Sequence, residues 1–261
     1  MTAFDDIYSS RIFLNAVLPL VKVIVENDES LGKGFQGKNA KIQISAKTDG
    51  GKVGTHFIIE DGIWTVKKGI TDSPDIELEF KSITAFNDFF KGKSKKLPRI
   101  IGLRNLGLLI STFKALLKMA AMLGAKEPPK KDEDKELLVK LYFYLLSAGI
   151  SQLNKAGHPE ISKWAKKSPD RVYAWAVSGK PELCAYIRVK AGNTKSARGQ
   201  YTRSKPFFTM RFDSVDSALG ILLQTDNLIE ATIKGRLIME GAPEFGAQIG
   251  EFMTMVGDYA K

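Results

Sequence analysis

The residues whose types and spacing best suit chemistry lie in Gly32-Lys33-Gly34-Phe35-Gln36-Gly37-Lys38-Asn39. This run satisfies G-x-G-x-x-G and also G-x-x-x-x-G-K, with asparagine where Ser or Thr would hold magnesium. Both patterns bind phosphate because glycine N–H groups that follow a strand and open a helix cradle it at the helix N-terminus. Here helical spacing precedes the run and strand alternation follows it. The context is reversed, a flexible helix-to-strand loop is the better account, and nucleotide binding is rejected. The histidines, His56 in a strand and His158 in a Gly-His-Pro turn, lack a His or Cys partner at ligand spacing, so no zinc site is expected. No G-x-S-x-G elbow occurs. Cys184, the single cysteine, lies in a strand-like segment and reads as a buried structural thiol. Glu77 and Glu79 alternate with apolar residues and are expected to face solvent as ordinary surface carboxylates. Aromatic and basic residues interleave over 201–207, as in binders of single-stranded nucleic acid. Only Phe207 of the Phe207-Phe208 pair would face outward, so nucleic acid is not an expected partner. No catalytic residue, metal or cofactor is assigned.

The elements that would position any site occur twice. Residues 73–82 and 205–214 align at one constant offset. Pro74 matches Pro206, the alternating Ile76, Leu78 and Phe80 match Phe208, Met210 and Phe212, and Ser82 matches Ser214. Period-two alternation marks a half-buried strand, and a serine before helical spacing marks a capped helix. The flanks agree: amphipathic helices at about 7–25 and 137–153 open the copies, and others at about 105–123 and 243–259 close them. Strands are expected at 40–46, 54–60, 63–67 and 75–80, and at 171–177, 183–189, 197–202 and 207–212, with a fifth at 97–103 and 233–239. The order argues for tandem duplication of one α+β domain.

Composition fits that organisation. The chain has 261 residues, 44% hydrophobic and 26% charged, as in soluble globular proteins. A domain over 1–124, a linker over 125–134 and a second domain over 135–261 each follow from Gly124, the Pro128-Pro129 pair and the charge run after it. One cysteine fits a reducing compartment. The acidic start, without a basic segment before an apolar one, predicts cytoplasmic residence. The net charge is +10, and it concentrates between Lys91 and Lys131, where Glu127 is the single acid. Peripheral contact with anionic membrane is expected there, through Lys93, Lys95, Lys96, Arg99 and Arg104. The helix at 105–123 reads as too interrupted by Lys114 and Lys118 to span a bilayer.

Copy two carries Ile233-Lys234-Gly235-Arg236-Leu237-Ile238-Met239-Glu240-Gly241-Ala242-Pro243-Glu244 before its last helix. This resembles the G-[KR]-L-x-x-x-G signature of the sterol-carrier-protein domain, the type-two nonspecific lipid-transfer family. Residues 206–223 resemble that family's alternating strand, cap and leucine-rich helix. Copy one matches through Asp61-Gly62, Gly69, residues 74–80, Phe89-Phe90-Lys91-Gly92-Lys93 and Ile101-Gly102, but lacks the G-[KR]-L segment. The resemblance implies two sterol-carrier-like domains, each a five-stranded, mostly antiparallel sheet covered by helices. It also implies a hydrophobic tunnel for acyl chains, acyl-CoA or sterols, with no universal catalytic residue.

The expected tunnel lining in copy two is Phe208, Met210 and Phe212 from a strand, Leu219, Leu222 and Leu223 from a helix, and Met239 from the last strand. The closing helix adds Phe245, Ile249, Phe252, Met253 and Val256. In copy one it is Phe86, Phe90, Phe113 and Leu117. Methionine suits irregular apolar contents. Copy two is expected to be the better site, having the fuller last strand and a longer closing helix. The expected function is non-enzymatic lipid binding or carriage. The alternatives are an interaction module with filled cavities, or an accessory factor that presents a lipid-like intermediate to an enzyme.

Overall fold

The computed structural model describes residues 3–261. The chain forms two compact units, one from the residues up to Ala120 with Tyr259–Lys261, the other Ala121–Asp258. The first contains helices α1 (Ala3–Ile12), α2 (Leu20–Asn27) and α3 (Glu29–Lys33), strands β1 (Ala40–Thr48), β2 (Gly51–Glu60), β3 (Ile63–Lys68) and β4 (Ile76–Phe80), helix α4 (Ile83–Phe90), strand β5 (Arg99–Ile101) and most of α5 (Leu106–Leu123). The second contains α6 (Asp132–Lys155), α7 (Pro159–Lys167), β6 (Arg171–Val177), β7 (Lys180–Lys190), β8 (Asn193–Arg198), β9 (Phe208–Phe212), α8 (Val215–Leu222), α9 (Leu228–Ile233), β10 (Leu237–Glu240) and α10 (Pro243–Ala260). The architecture is α+β with two five-stranded sheets.

Both sheets have one topology, β3-β2-β1-β4-β5 and β10-β9-β6-β7-β8, the second written from its opposite edge. The sheets are mixed, which corrects the mostly antiparallel expectation. β1 pairs antiparallel with β2 but parallel with β4, and β6 does the same with β7 and β9. Ser82 and Ser214 cap the helices after β4 and β9, accepting from Ala85 N at 3.1 Å and Ser217 N at 3.2 Å.

Four local departures from the sequence reading have physical causes. The expected helix over 7–25 is interrupted by a π-helical turn at Phe13–Val17. There Leu18 N donates to Phe13 O at 2.9 Å, and Thr55 Oγ1 of β2 donates to Leu14 O at 2.5 Å. Pro19, with no N–H, precedes α2. β8 lies at 193–198 rather than 197–202 because Ala191-Gly192, both at positive φ, form a two-residue turn after β7. Residues 228–233 form α9, capped by Asn227, so the last strand begins at Leu237 rather than Ile233. The closing helices α5 and α10 are each 18 residues, so copy two has no longer one.

The largest departure is on β4. Glu77 and Glu79 are buried, only 4% and 5% exposed. Glu77 Oε1 accepts from Gln43 Nε2 at 2.9 Å, Ser45 Oγ at 2.5 Å and Lys52 Nζ at 3.0 Å. Lys52 also pairs with Glu79, which further meets Lys47 at 3.2 Å and Arg99 at 3.6 Å. Gln43 Oε1 in turn accepts from Thr71 N at 2.6 Å. Alternation places these acids opposite the apolar core, but long basic side chains and the 69–75 loop cover that second face.

Burial pushes the Glu77 carboxyl up, and the hydrogen bonds from Ser45, Gln43 and Lys52 more than reverse it. The bond from Lys52 holds Glu79 low against its own burial, and bonds to Glu79 and Glu77 raise Lys52. Carboxyls lowered in the fold stabilise it above their unfolded value of 4.5 and lose that contribution as pH falls through the folded value. The raised Lys52 contributes fully below its unfolded value of 10.5 and loses its share above it. The protection of β1 and β4 amides, relative to the intrinsic exchange rate at each pH, is therefore expected to fall below pH 4.5 and to hold at neutral pH. Breaking a buried pair costs about 3–5 kcal/mol. Lys52→Ala belongs at the low end because the lysine is 31% exposed. Unaltered protection of β1 and β4 in that variant would show that the cluster is not needed.

Candidate functional site

In the second unit, β6 and β9 turn one apolar face toward the helices. Tyr173, Trp175 and Val177 stand opposite Phe208, Met210 and Phe212 in parallel register, and all six are buried. Leu219 of α8 and Ile249, Phe252 and Val256 of α10 are buried with them, as expected for an amphipathic stripe. Leu222, Leu223, Met239, Phe245 and Met253 are half-buried. Trp175 Nε1 donates to Met253 Sδ at 3.3 Å. Gly246 lies where a Cβ would be 2.6 Å from Met239 Sδ, so α10 approaches β10 closely. The start of α10 thus meets Met239 and Phe208, and its Met253 meets Trp175.

The sequence reading missed Trp164, Tyr173, Trp175 and Phe143. Trp164 of α7 meets Tyr173 at 5.4 Å and Phe252 at 5.1 Å, and Phe143 of α6 stacks on Phe212 at 5.9 Å, centroid to centroid. The alternation of Tyr173, Trp175 and Val177 was the available signal for the strand pair. The Tyr173 hydroxyl has no hydrogen-bond partner, although the residue is 1% exposed. An unmade buried hydrogen bond costs about 1–3 kcal/mol.

In the first unit, Phe86 and Phe90 join an aromatic group with Phe13 and Phe80. Phe86 lies 4.8 Å from Phe90, 5.3 Å from Phe80 and 6.1 Å from Phe13. Phe113 is half-buried. Leu117 does not line the interior, being 66% exposed. The reason is the orientation of α5. Its buried residues are Leu108, Leu109, Thr112, Ala115, Met119 and Met122, whereas Leu106, Ile110 and Leu117 point out at 59%, 55% and 66% exposure. By length and composition α5 is apolar enough to cross a membrane despite Lys114 and Lys118, and 33% of it is buried. The other such segment, Phe4–Asn27, is 72% buried.

Lys93, Lys95, Lys96, Arg99 and Arg104 are exposed, with Arg99 also paired to Glu79. Arg104 and Lys38 border an open hollow of about 420 Å³ with Asp75 and Leu106. A second hollow, about 220 Å³, lies on the other face of the second sheet over Ala174, Ala176, Cys184, Thr209 and Arg211. Neither lies among the expected apolar lining residues. The glycine run closes α3 and leads into β1, the reversed order that argues against phosphate binding. Cys184 is buried, which pushes its thiol up. Among the described residues no group of three His, Cys, Asp or Glu is placed to hold a metal.

The G-[KR]-L-x-x-x-G residues have structural work of their own. Gly235 turns the chain at φ 69° into β10, and Leu237 is buried. Arg236 Nη1 pairs with Asp226 Oδ2 at 2.6 Å, and Glu240 with Arg211 at 2.6 Å. Gly241, at φ 130°, lets Phe208 approach a position where a Cβ would be 2.9 Å away. Gly102 after β5 has the same role against the Asp75 carbonyl.

No family model matches this chain. No curated protein matches it either. Its site must be judged by its own geometry.

That geometry separates two residues expected to share one role. Phe86→Ala removes a ring from a closed aromatic group and is expected to cost about 3–5 kcal/mol in chemical denaturation. Leu117→Ala, at an exposed position, is expected to stay within about 0.5 kcal/mol of the parent. A large loss from Leu117→Ala would place that side chain inside after all.

Proposed function

We propose that the chain is a non-catalytic binder and carrier of apolar molecules, two sterol-carrier-like domains in tandem that take acyl chains or sterol-like ligands between sheet and helices in a cytoplasmic setting. The observation that carries this reading is the face α5 leaves uncovered. Leu106, Ile110 and Leu117 are each more than half exposed, and exposed Arg104, Lys114, Lys93, Lys95 and Lys96 belong to the same stretch of chain. Exposed branched side chains interspersed with cations suit an anionic membrane or partner surface better than water. A carrier needs both such a contact and an apolar interior. The paired aromatic and methionine residues of the second unit support the interior.

The energetics are sufficient without a polar anchor. Each buried methylene contributes about 0.8 kcal/mol, and micromolar affinity needs about 8 kcal/mol, so roughly ten methylenes suffice. A second reading, an interaction module whose interiors are filled by its own side chains, is favoured by the close Trp175–Met253 and Gly246–Met239 contacts. Native mass spectrometry of the purified protein distinguishes the two. Co-purifying lipid is expected, and a ligand-free protein that also fails to bind added fatty acid would favour the module.

Membrane contact has its own test. Co-sedimentation with anionic vesicles is expected to exceed that with neutral ones and to weaken with salt. Each cation near an anionic surface contributes about 1 kcal/mol. Replacing Lys93, Lys95 and Lys96 with glutamate is therefore expected to abolish most of the difference without unfolding the unit. Equal binding to both vesicle types would refute the contact.

A further inference from the structure

Three elements of the second unit meet around one unpartnered polar atom. Arg171 opens β6, Phe207 immediately precedes β9, and Phe245 lies in the first turn of α10. The Arg171 guanidinium sits 3.9 Å above the Phe207 ring and 5.1 Å from that of Phe245, and the two rings meet edge-on at 4.8 Å. Tyr173 lies behind them, its ring 5.7 Å from Phe207 and 6.5 Å from Phe245. Phe207 is 37% exposed and Tyr173 is 1% exposed. The partly exposed Phe207 therefore packs on the ring of a residue whose buried hydroxyl has no hydrogen-bond partner among the described residues. A phenylalanine would fill the same space without a donor left unmet. Trp64 of the first unit also has an unpartnered indole N–H, but its ring neighbours, Phe35 and Phe57, are themselves fully buried. Of these two aromatic residues, each without a hydrogen-bond partner for its polar atom among the described residues, Tyr173 is the one beside a partly exposed aromatic stack.

We propose that the Tyr173 hydroxyl anchors the carbonyl oxygen of a long-chain acyl ligand in the second unit, and that Arg171, Phe207 and Phe245 form the shutter through which it enters. The proposal rests on the apolar-ligand reading above and adds its polar determinant. The hydroxyl donates to the carboxyl or ester oxygen, and the aliphatic chain enters between the inner face of β6 and β9 and α10 by displacing side chains that pack closely there without ligand. Stacked rings under a guanidinium exclude water while the site is empty, and they part by side-chain rotation without breaking the strand ladder. Arg171 places a cation over this mouth for an arriving carboxylate.

Full-length protein is titrated with parinaric acid, a fluorescent fatty acid, and with diphenylhexatriene, an apolar probe lacking an acceptor. Tyr173→Phe is expected to weaken parinaric acid about tenfold, leave diphenylhexatriene unchanged and leave the thermal midpoint equal or higher. Equal weakening of both probes would mean a packing role, and no change in either would mean the hydroxyl is idle. Each outcome overturns the proposal while leaving apolar binding intact. Binding of neither probe by the parent protein would instead remove the carrier reading and this proposal with it. Phe207→Ala is expected to raise the association rate of parinaric acid severalfold in stopped flow. An unchanged rate would overturn the shutter.

Discussion

In both units the first strand bonds on one side to an antiparallel partner and on the other to a parallel strand that arrives only after a hairpin and a loop. This parallel pairing, β1 with β4 and β6 with β9, decides which residues meet. It sets Ile42, Ile44 and Ala46 beside Ile76, Leu78 and Phe80 on one face, and Gln43 and Ser45 beside Glu77 and Glu79 on the other. The serine caps after β4 and β9 then turn the chain back over the apolar face. A one-residue slip would exchange the two faces and bury the acids among phenylalanines. The register is therefore held from both sides, by apolar burial on one and by ion pairs on the other.

The two units use the second face differently. Where the first has Gln43, Ser45, Glu77 and Glu79, the same register positions of the second carry Ala174, Ala176, Thr209 and Arg211. The first fills the space with a hydrogen-bonded cluster closed by Lys52. The second leaves a hollow of about 220 Å³ over small side chains, with Arg211 drawn to Glu240 at its rim. One topology thus tolerates a charged, fully paired face or a small, open one. Buried charges are acceptable in the first unit because each carboxylate has several donors, which a lone ion pair would not supply.

The repeated element order, the strand alternation and the serine caps were legible because period and punctuation are local properties of sequence. Burial of Glu77 and Glu79 was not, since alternation identifies which residues oppose the core and is silent on what covers them. β8 was misplaced because 193–198 has no apolar alternation, Thr194 being its buried residue. Its position comes from the tight turn at Ala191-Gly192, and alanine at positive φ is a poor turn signal. Tyr173 was hidden for a related reason. Its ring fits the alternation, whereas the unmet hydroxyl is visible only once every neighbour is known.

The face of α5 shows why an apolar helix is the hardest element to orient from sequence. A stripe of Leu106, Leu109, Ile110, Phe113, Leu116, Leu117 and Ala120 is the natural choice by size. The buried stripe instead runs through Leu108, Thr112, Ala115 and Met119, with Leu109 the one member of the expected stripe that is buried beside it and Phe113 and Leu116 half-buried. Thr112 Oγ1 is satisfied by Leu108 O at 2.8 Å, so burying the hydroxyl leaves no polar atom unmet. Small side chains admit a close approach, seen where a Cβ on Gly34 would lie 2.8 Å from Ser111 Oγ. With the helix turned this way, three branched side chains, Leu106, Ile110 and Leu117, remain in water. Each forgoes part of the roughly 1.5–3 kcal/mol that full burial would bring. A helix that leaves so much transfer energy unused within its own fold has it available for an external apolar phase, and the proposed contact with an anionic one rests on the lysines and arginines of the same stretch.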